Sequence, residues 1–127
     1  MTHPSPISEA ENLPRVSVLV AARNEARELP ACLVRLTSLH YPPERLEIWI
    51  GNDGSDDRTS EILQAWAFHF PQVQVLDITQ TLPGLRGKAN VLAQLAQVAT
   101  GEWLAFTDAD TRVTKDWLQA LLAQGQE

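Results

Sequence analysis

The sequence predicts an α/β fold, a mostly parallel sheet of about four strands flanked by helices. Three observations predict it. Short apolar runs recur four times along the chain, the first of them β-branched. Each is followed by a segment whose apolar residues repeat at helical spacing, the alternation that builds parallel sheets through right-handed crossovers. Polar and acidic clusters stand where the first, second and fourth runs end, which is where such sheets bind ligands.

Residues 1–14 are polar and carry three prolines, so they read as a flexible tail or surface arm. The rest, 15–127, reads as one domain. "RVSVLVAA" is a buried strand. "NEARELPACLVRLTSL" places Leu29, Cys32, Leu33 and Leu36 on one helix face. Pro30 fits only in that helix's first turn, where its missing N–H costs little. "HYPPE" is a loop.

"RLEIWIGND" is the second strand, with Leu46, Ile48 and Ile50 on one face and Trp49 on the other. "GSDDRTSEILQAWAFHF" opens on turn and cap residues and continues with a stripe of Ile62, Leu63, Trp66 and Phe70. "VQVLDI" is the third strand and "TQTLPGLRG" a loop. "KANVLAQLAQVA" is a helix with Leu92, Leu95, Ala96 and Ala99 as its stripe. "GEWLAFTDAD" is a turn and the fourth strand, and "TKDWLQALLAQ" a last helix with Thr114 as its cap.

Hydrophobic residues make up 44% and charged residues 20% of 127, a globular balance. The net charge is −6, with no basic cluster. That argues against nucleic acid, whose phosphates need cationic patches. It leaves open a nucleotide that brings its own metal. Cys32 is the one cysteine; it forms no intrachain disulfide and reads as a small buried hydrophobe. No apolar run reaches the ~18 residues of a membrane span, and the N-terminus lacks an apolar signal core.

Four segments carry chemistry. In "DAD", Asp108 and Asp110 share one side if the chain stays extended. Two carboxylates so close call for a cation, and Mg²⁺ or Mn²⁺ prefers oxygen ligands. The bland alternative is a solvated turn after a strand. In "NDGSDDRT", Asp53 follows the second strand directly, while Ser55 to Asp57 can cap the next helix. A calcium loop starting at Asp53 is excluded, because Arg58 and Gln64 stand where Gly and Glu belong.

"AARNE" puts Arg23 and Glu25 at a strand exit, which a plain surface helix start would also explain. "GLRGKAN" offers flexible glycines, Arg86 and Lys88 before a helix N-terminus able to meet an anion. It is not a P-loop: two residues, not four, separate its glycines, and Ala89 follows Lys88. The three histidines lack zinc spacing. No Ser–His–Asp set and no dinucleotide fingerprint is present.

The ordered set "AARNE", "NDGSDD", "GKAN" and "ATGEWLAFTDADT" closely resembles the donor-binding half of family 2 glycosyltransferases of the GT-A fold, from about Val16 to Leu121. The resemblance implies a Rossmann-like nucleotide-binding half and inverting transfer of a sugar from a nucleotide-diphosphate sugar, a UDP-sugar first, to an acceptor hydroxyl. By the same resemblance Asp53 recognises the base, and Ala22 and Glu25 line the nucleotide pocket. Asp108 lies near the ribose and diphosphate, Lys88 sits on the donor side, and Asp110 binds Mn²⁺ or Mg²⁺.

The resemblance also has limits. Family members continue further and carry a later carboxylate as general base, often followed by a Gln-x-x-Arg-Trp motif; neither follows Asp110 here. The expectation is a truncated half whose base would lie after Glu127, inactive alone and prone to self-association through exposed apolar surface. The parent would act in the cytoplasm or at the cytoplasmic face of a membrane. Two rival classes stay open: a non-catalytic nucleotide-binding or interaction module, and a receiver-type signalling domain. The latter needs an acidic pair after strand one, where "AARNE" stands, and a fifth strand that is not evident.

Overall fold

A computed structural model describes residues 13–125. The tail expected over 1–14 therefore lies outside the described residues, save for Leu13 and Pro14. Both are held by hydrogen bonds to their carbonyls: the Tyr41 hydroxyl donates to Pro14 O, and Arg45 Nη1 donates to Leu13 O at 3.3 Å.

Four strands, β1 (Val16–Ala22), β2 (Leu46–Asn52), β3 (Val73–Asp77) and β4 (Trp103–Asp108), alternate with four helices, α1 (Leu29–Leu36), α2 (Thr59–His69), α3 (Gly87–Val98) and α4 (Trp117–Gly125). All strand pairs are parallel, in the order β3-β2-β1-β4. The expected α/β sheet is what forms. The chain steps outward from β1 to β3 and then returns to β1's other side, so direction switches between β1 and β4. Crevices at such switch points, beyond the carboxyl ends of the strands, are the ligand sites of this architecture.

Packing follows from side-chain alternation. Val16, Val18 and Val20 of β1, with Leu46, Ile48 and Ile50 of β2, face a core completed by Leu29, Cys32, Leu33 and Leu36 of α1, Leu63 of α2, and Leu118 and Leu122 of α4. Leu19 faces the other way, against Val91 and Leu95 of α3 and Ile78. The α3 helix lies so close to the sheet that a Cβ at Gly51 would collide with Val91 Cγ1. A larger residue there would have to displace the Val91 side chain.

Several details differ from the sequence-based expectation. On α3 the expected Leu92, Leu95 and Ala99 pack on the core, but the buried face also takes in Asn90 and Val91, and Ala96 is exposed. Asn90 is buried because it has work inside: its Oδ1 accepts from Leu82 N–H at 2.8 Å and its Nδ2 donates to Gln80 O at 2.9 Å, fastening the preceding loop. "HYPPE" contains a 3₁₀ turn at Pro43–Arg45 rather than plain loop. The last helix begins at Trp117, three residues after the expected cap; Thr114 contributes its carbonyl, which accepts from Trp117 N–H at 3.1 Å. On β4, Leu104 and Phe106 are exposed, because α3 covers β1 and β2 on that face. Among the described residues no helix is long and apolar enough to cross a membrane.

Candidate functional site

The strand register levels the sheet's carboxyl edge. Ala22 pairs with Asn52, Ala21 with Asp108, and Asn52 with Asp77. Residues that leave β1, β2 and β4 therefore emerge side by side. They enclose a cavity of about 340 Å³ lined by Ala21, Ala22, Arg23, Glu25, Asp53, Gly87, Lys88, Val91, Asp108, Ala109 and Asp110. The six residues that the resemblance assigns to the site, Ala22, Glu25, Asp53, Lys88, Asp108 and Asp110, are in its wall, while Arg86 is not.

Asp108 and Asp110 reach it by a different route from the one expected. The strand stops at Asp108, and Ala109–Asp110 form a turn closed by Thr111 N–H donating to Asp108 O at 3.0 Å. Burial of Ala109 under the turn keeps both flanking carboxylates on the outside. The Cys32 thiol also donates to the Asp108 carbonyl, at 3.6 Å, tying α1 to the end of β4. Lys88, in the first turn of α3, is ion-paired to the Asp108 carboxylate through Nζ and Oδ1.

The site's field is negative. The Glu25 carboxyl is pushed above the usual carboxylate range by burial first, then by the charges of Asp110, Glu28, Asp57 and Asp108. Cys32 is pushed up to about 11, again by burial and then by Asp110, Glu25 and Asp108. Four carboxylates (Glu25, Asp53, Asp108 and Asp110) share one cavity with Arg23 and Lys88 as its cations. No three acidic, histidine or cysteine groups among the described residues converge tightly enough to cage an ion unaided. That donor set fits Mg²⁺ or Mn²⁺, ions that take one or two carboxylates and complete their shell with water and phosphate oxygens. It does not fit an all-protein metal cage.

Sequence reading missed how the loops are held. Ser55 and Asp57 were expected to cap α2. Asp57 Oδ1 does accept from Thr59 N–H at 2.9 Å, but its Oδ2 accepts from Ala26 N–H at 3.2 Å in the neighbouring loop. The hydrogen bonds from Thr59 hold the Asp57 carboxyl below its ordinary value. Ser55 Oγ accepts from Asn24 N–H at 3.0 Å, and the fully buried Thr59 accepts from Glu25 N–H at 2.9 Å. Asn24 itself was passed over. The signal was its type: asparagine is one of the few residues that tolerates a left-handed backbone at a strand exit.

A second cavity adjoins the first and shares Arg23, Asp53 and Gly87 with it. Ile78, Thr79, Gln80, Thr81, Arg86 and Asn90 complete its wall. Asp53 thus stands between two connected spaces, one beside the Asp108–Asp110 turn and one beneath the loop that follows β3.

The family profile described as glycosyl transferase family 2 matches residues 17–127. A beta-monoglucosyldiacylglycerol synthase of Trichormus variabilis is 37% identical over 107 residues, covering 84% of this chain and 22% of the relative. A probable glycosyltransferase, YdaM, of Bacillus subtilis is 32% identical over 105 residues, covering 83% of this chain and 25% of the relative. The chain thus spans about a fifth to a quarter of these curated relatives' length. Among solved structures, the mannosyltransferase PcManGT of Pyrobaculum calidifontis, in complex with GDP-Man and Mn²⁺, superposes with a TM-score of 0.74 at 30% identity, over 86% of this chain and 33% of that one. S. aureus TarS 1–349 in complex with UDP-GlcNAc gives 0.69 at 28% identity, over 86% and 30%.

Proposed function

The chain belongs to glycosyl transferase family 2, and on that premise we propose that it is the donor-binding half of an inverting glycosyltransferase. The donor is a sugar on a nucleoside diphosphate, uridine diphosphate first. The sugar passes to an acceptor hydroxyl, and Mn²⁺ or Mg²⁺ assists. The observation that carries this reading is the meeting of Asp53, Lys88, Asp108 and Asp110 around one cavity at the sheet's switch point. A scaffold without a ligand has no reason to gather like charges there.

The residues divide the work along the cavity. Asp53, between the two connected spaces, accepts the ring N–H of the base. Ala22, buried at the end of β1, gives the nucleoside a flat wall. Asp108 lies beside the ribose and diphosphate, and Asp110 holds the cation. When bound, that cation supplies Lewis-acid stabilisation to the departing diphosphate. Lys88, ion-paired to Asp108, adds a positive charge at the first turn of α3, where free backbone N–H groups also favour an anion. Glu25, already resisting ionisation, closes the acidic end. None of these carboxylates is assigned the deprotonation of the acceptor. The complexes of PcManGT with GDP-Man and Mn²⁺ and of TarS with UDP-GlcNAc support a nucleotide-sugar donor.

Isothermal titration of the chain with UDP and GDP, with Mn²⁺ and with chelator, tests the proposal. Saturable heat that requires the metal is expected, with UDP the tighter ligand. A folded sample that gives no heat with either nucleotide contradicts the proposal and favours a non-catalytic scaffold. Tighter GDP binding corrects the base assignment alone.

A further inference from the structure

The geometry points to Asn24 as a positioning residue, a latch that locks the β1–α1 loop onto the β2–α2 loop so that Glu25 and Asp53 face the same cavity. The inference rests on the nucleotide-binding reading above and goes beyond it, since Asn24 is not itself in the cavity wall.

Asn24 is the one non-glycine residue with positive φ, +53°, among the described residues. Its two polar ends both cross to the other loop. Its N–H donates to Ser55 Oγ at 3.0 Å, and its Oδ1 accepts from Asp56 N–H at 2.8 Å. Three further bonds flank it: Asp53 N–H to Ala22 O at 2.9 Å, Glu25 N–H to Thr59 Oγ1 at 2.9 Å, and Ala26 N–H to Asp57 Oδ2 at 3.2 Å. Five bonds thus join the loops within five residues of β1's exit. The partners begin at Asp53 itself and run to Thr59, the first residue of α2.

The left-handed turn matters because of what stands on either side. Arg23 and Glu25 flank Asn24, and both line the cavity with Asp53. Asn24 N–H meets Ser55, and the left-handed turn at 24 then redirects the backbone so that the N–H groups of 25 and 26 meet Thr59 and Asp57. Glycine could take that φ but could not accept from Asp56 N–H. Asparagine does both, because its short amide bonds locally.

The latch bears most directly on Asp53, whose own N–H makes one of the five bonds. Asp108, Asp110 and Lys88 hang from β4 and α3 and make no bond to these loops among the described hydrogen bonds. Loosening it should weaken recognition of the nucleoside and spare recognition of the diphosphate.

The test compares UDP with inorganic pyrophosphate, each with Mn²⁺, by calorimetry on wild type, Asn24→Gly, Asn24→Ala and Asn24→Asp. Asn24→Gly keeps the backbone and loses the acceptor, so UDP should weaken about five- to tenfold, the scale of one hydrogen bond, with pyrophosphate unchanged within about twofold. Asn24→Ala, which also resists the left-handed turn, should weaken UDP further. Asn24→Asp, which retains acceptor and turn, should recover most of the loss. Amide exchange reports the latch directly: the Asp56 N–H should be protected in wild type and lose protection in Asn24→Gly. Equal weakening of UDP and pyrophosphate, an unaltered UDP affinity, or an unprotected Asp56 N–H in wild type overturns the latch. A folded wild type that binds neither ligand overturns the functional reading and the latch with it; binding by wild type and Asn24→Gly alike overturns the latch alone.

Discussion

The two rims of the sheet treat their carboxylates in opposite ways. At the amino-terminal rim, Glu47 is nearly buried, 6% exposed, and fully engaged. Its oxygens accept from Thr100 Oγ1 at 2.7 Å, Thr100 N–H at 3.1 Å and Trp49 Nε1 at 2.8 Å, with Arg15 at 3.8 Å. Burial alone would push this carboxyl up, yet the bonds from Thr100, Trp49 and Ser17 outweigh it and hold the group below its usual range. At the carboxyl-terminal rim, Glu25 is pushed the other way by burial and by neighbouring acids. A carboxylate answered by the protein stabilises the fold; a set in which Lys88 answers only Asp108 is available to a ligand.

The largest expected effect breaks that comparison at the ligand side. Asp110 is exposed and its side chain bonds to nothing among the described hydrogen bonds. Asp110→Asn should therefore leave stability within about 0.5 kcal/mol, while weakening Mn²⁺-dependent UDP binding on the order of a hundredfold. Urea melts and calorimetry on the same sample separate the two quantities. A large loss of stability with intact binding would reverse the assignment of the rims.

Next comes the mirror experiment. Glu47→Ala strands Thr100 N–H and Trp49 Nε1 and should cost about 2–4 kcal/mol of unfolding free energy. UDP affinity should not move, because the site lies at the far end of the strands. A shift in affinity larger than about twofold would couple the rims and blur the contrast.

The pH dependences should have opposite signs. Glu47 has a depressed folded value, so its contribution is present above the ordinary carboxylate value of 4.5 and is lost as pH falls through the folded one. Glu25 has a raised folded value, so the native state holds its proton more tightly and stability falls as pH rises from 4.5 through the folded value. Glu25→Gln should remove that fall, and Glu47→Gln the acid-side loss. Melting temperatures from pH 3 to 8 check both. Addition of Mn²⁺ and UDP should shrink the Glu25 fall, since a cation offsets the acids that cause it.

Much of this was legible in the sequence, and the reasons are physical. The strands of "VSVLVAA" and "LEIWIGN" declare themselves because the inner strands of a parallel sheet are buried on both faces. The α1 face was readable from Leu29, Cys32, Leu33 and Leu36 because nothing polar competes for it. The α3 face was read incompletely: Leu92, Leu95 and Ala99 do pack on the core, but Asn90 was missed, because a buried asparagine with two backbone partners looks polar in a list of residues and behaves as core in the fold. The six residues that the resemblance named meet at one cavity because they stand at strand exits and at a helix start along one edge of the sheet. The latch was not, because its bonds join Asn24 to Ser55 and Asp56, more than thirty residues away, and no local pattern encodes them. The Ala109 turn was hidden for a related reason: alternation describes a strand only until the strand stops.

The smallest effect belongs to Cys32, which lies beside the site without lining it. With its value at about 11, roughly a thousandth of the thiol is ionised at pH 8, and burial blocks access to it. Iodoacetamide should modify it only on unfolding. Rapid labelling of the folded chain would mean that α1 opens away from the end of β4.

The most direct test of the central claim uses Mn²⁺ as a paramagnetic probe on the amide spectrum. In the presence of UDP, Mn²⁺ should broaden the amides of Asp108, Ala109, Asp110, Lys88 and Glu25 first, and leave Glu47, Thr100 and Gly101 sharp. Broadening scattered over the acidic surface, or centred on the Glu47 end of the sheet, would contradict it.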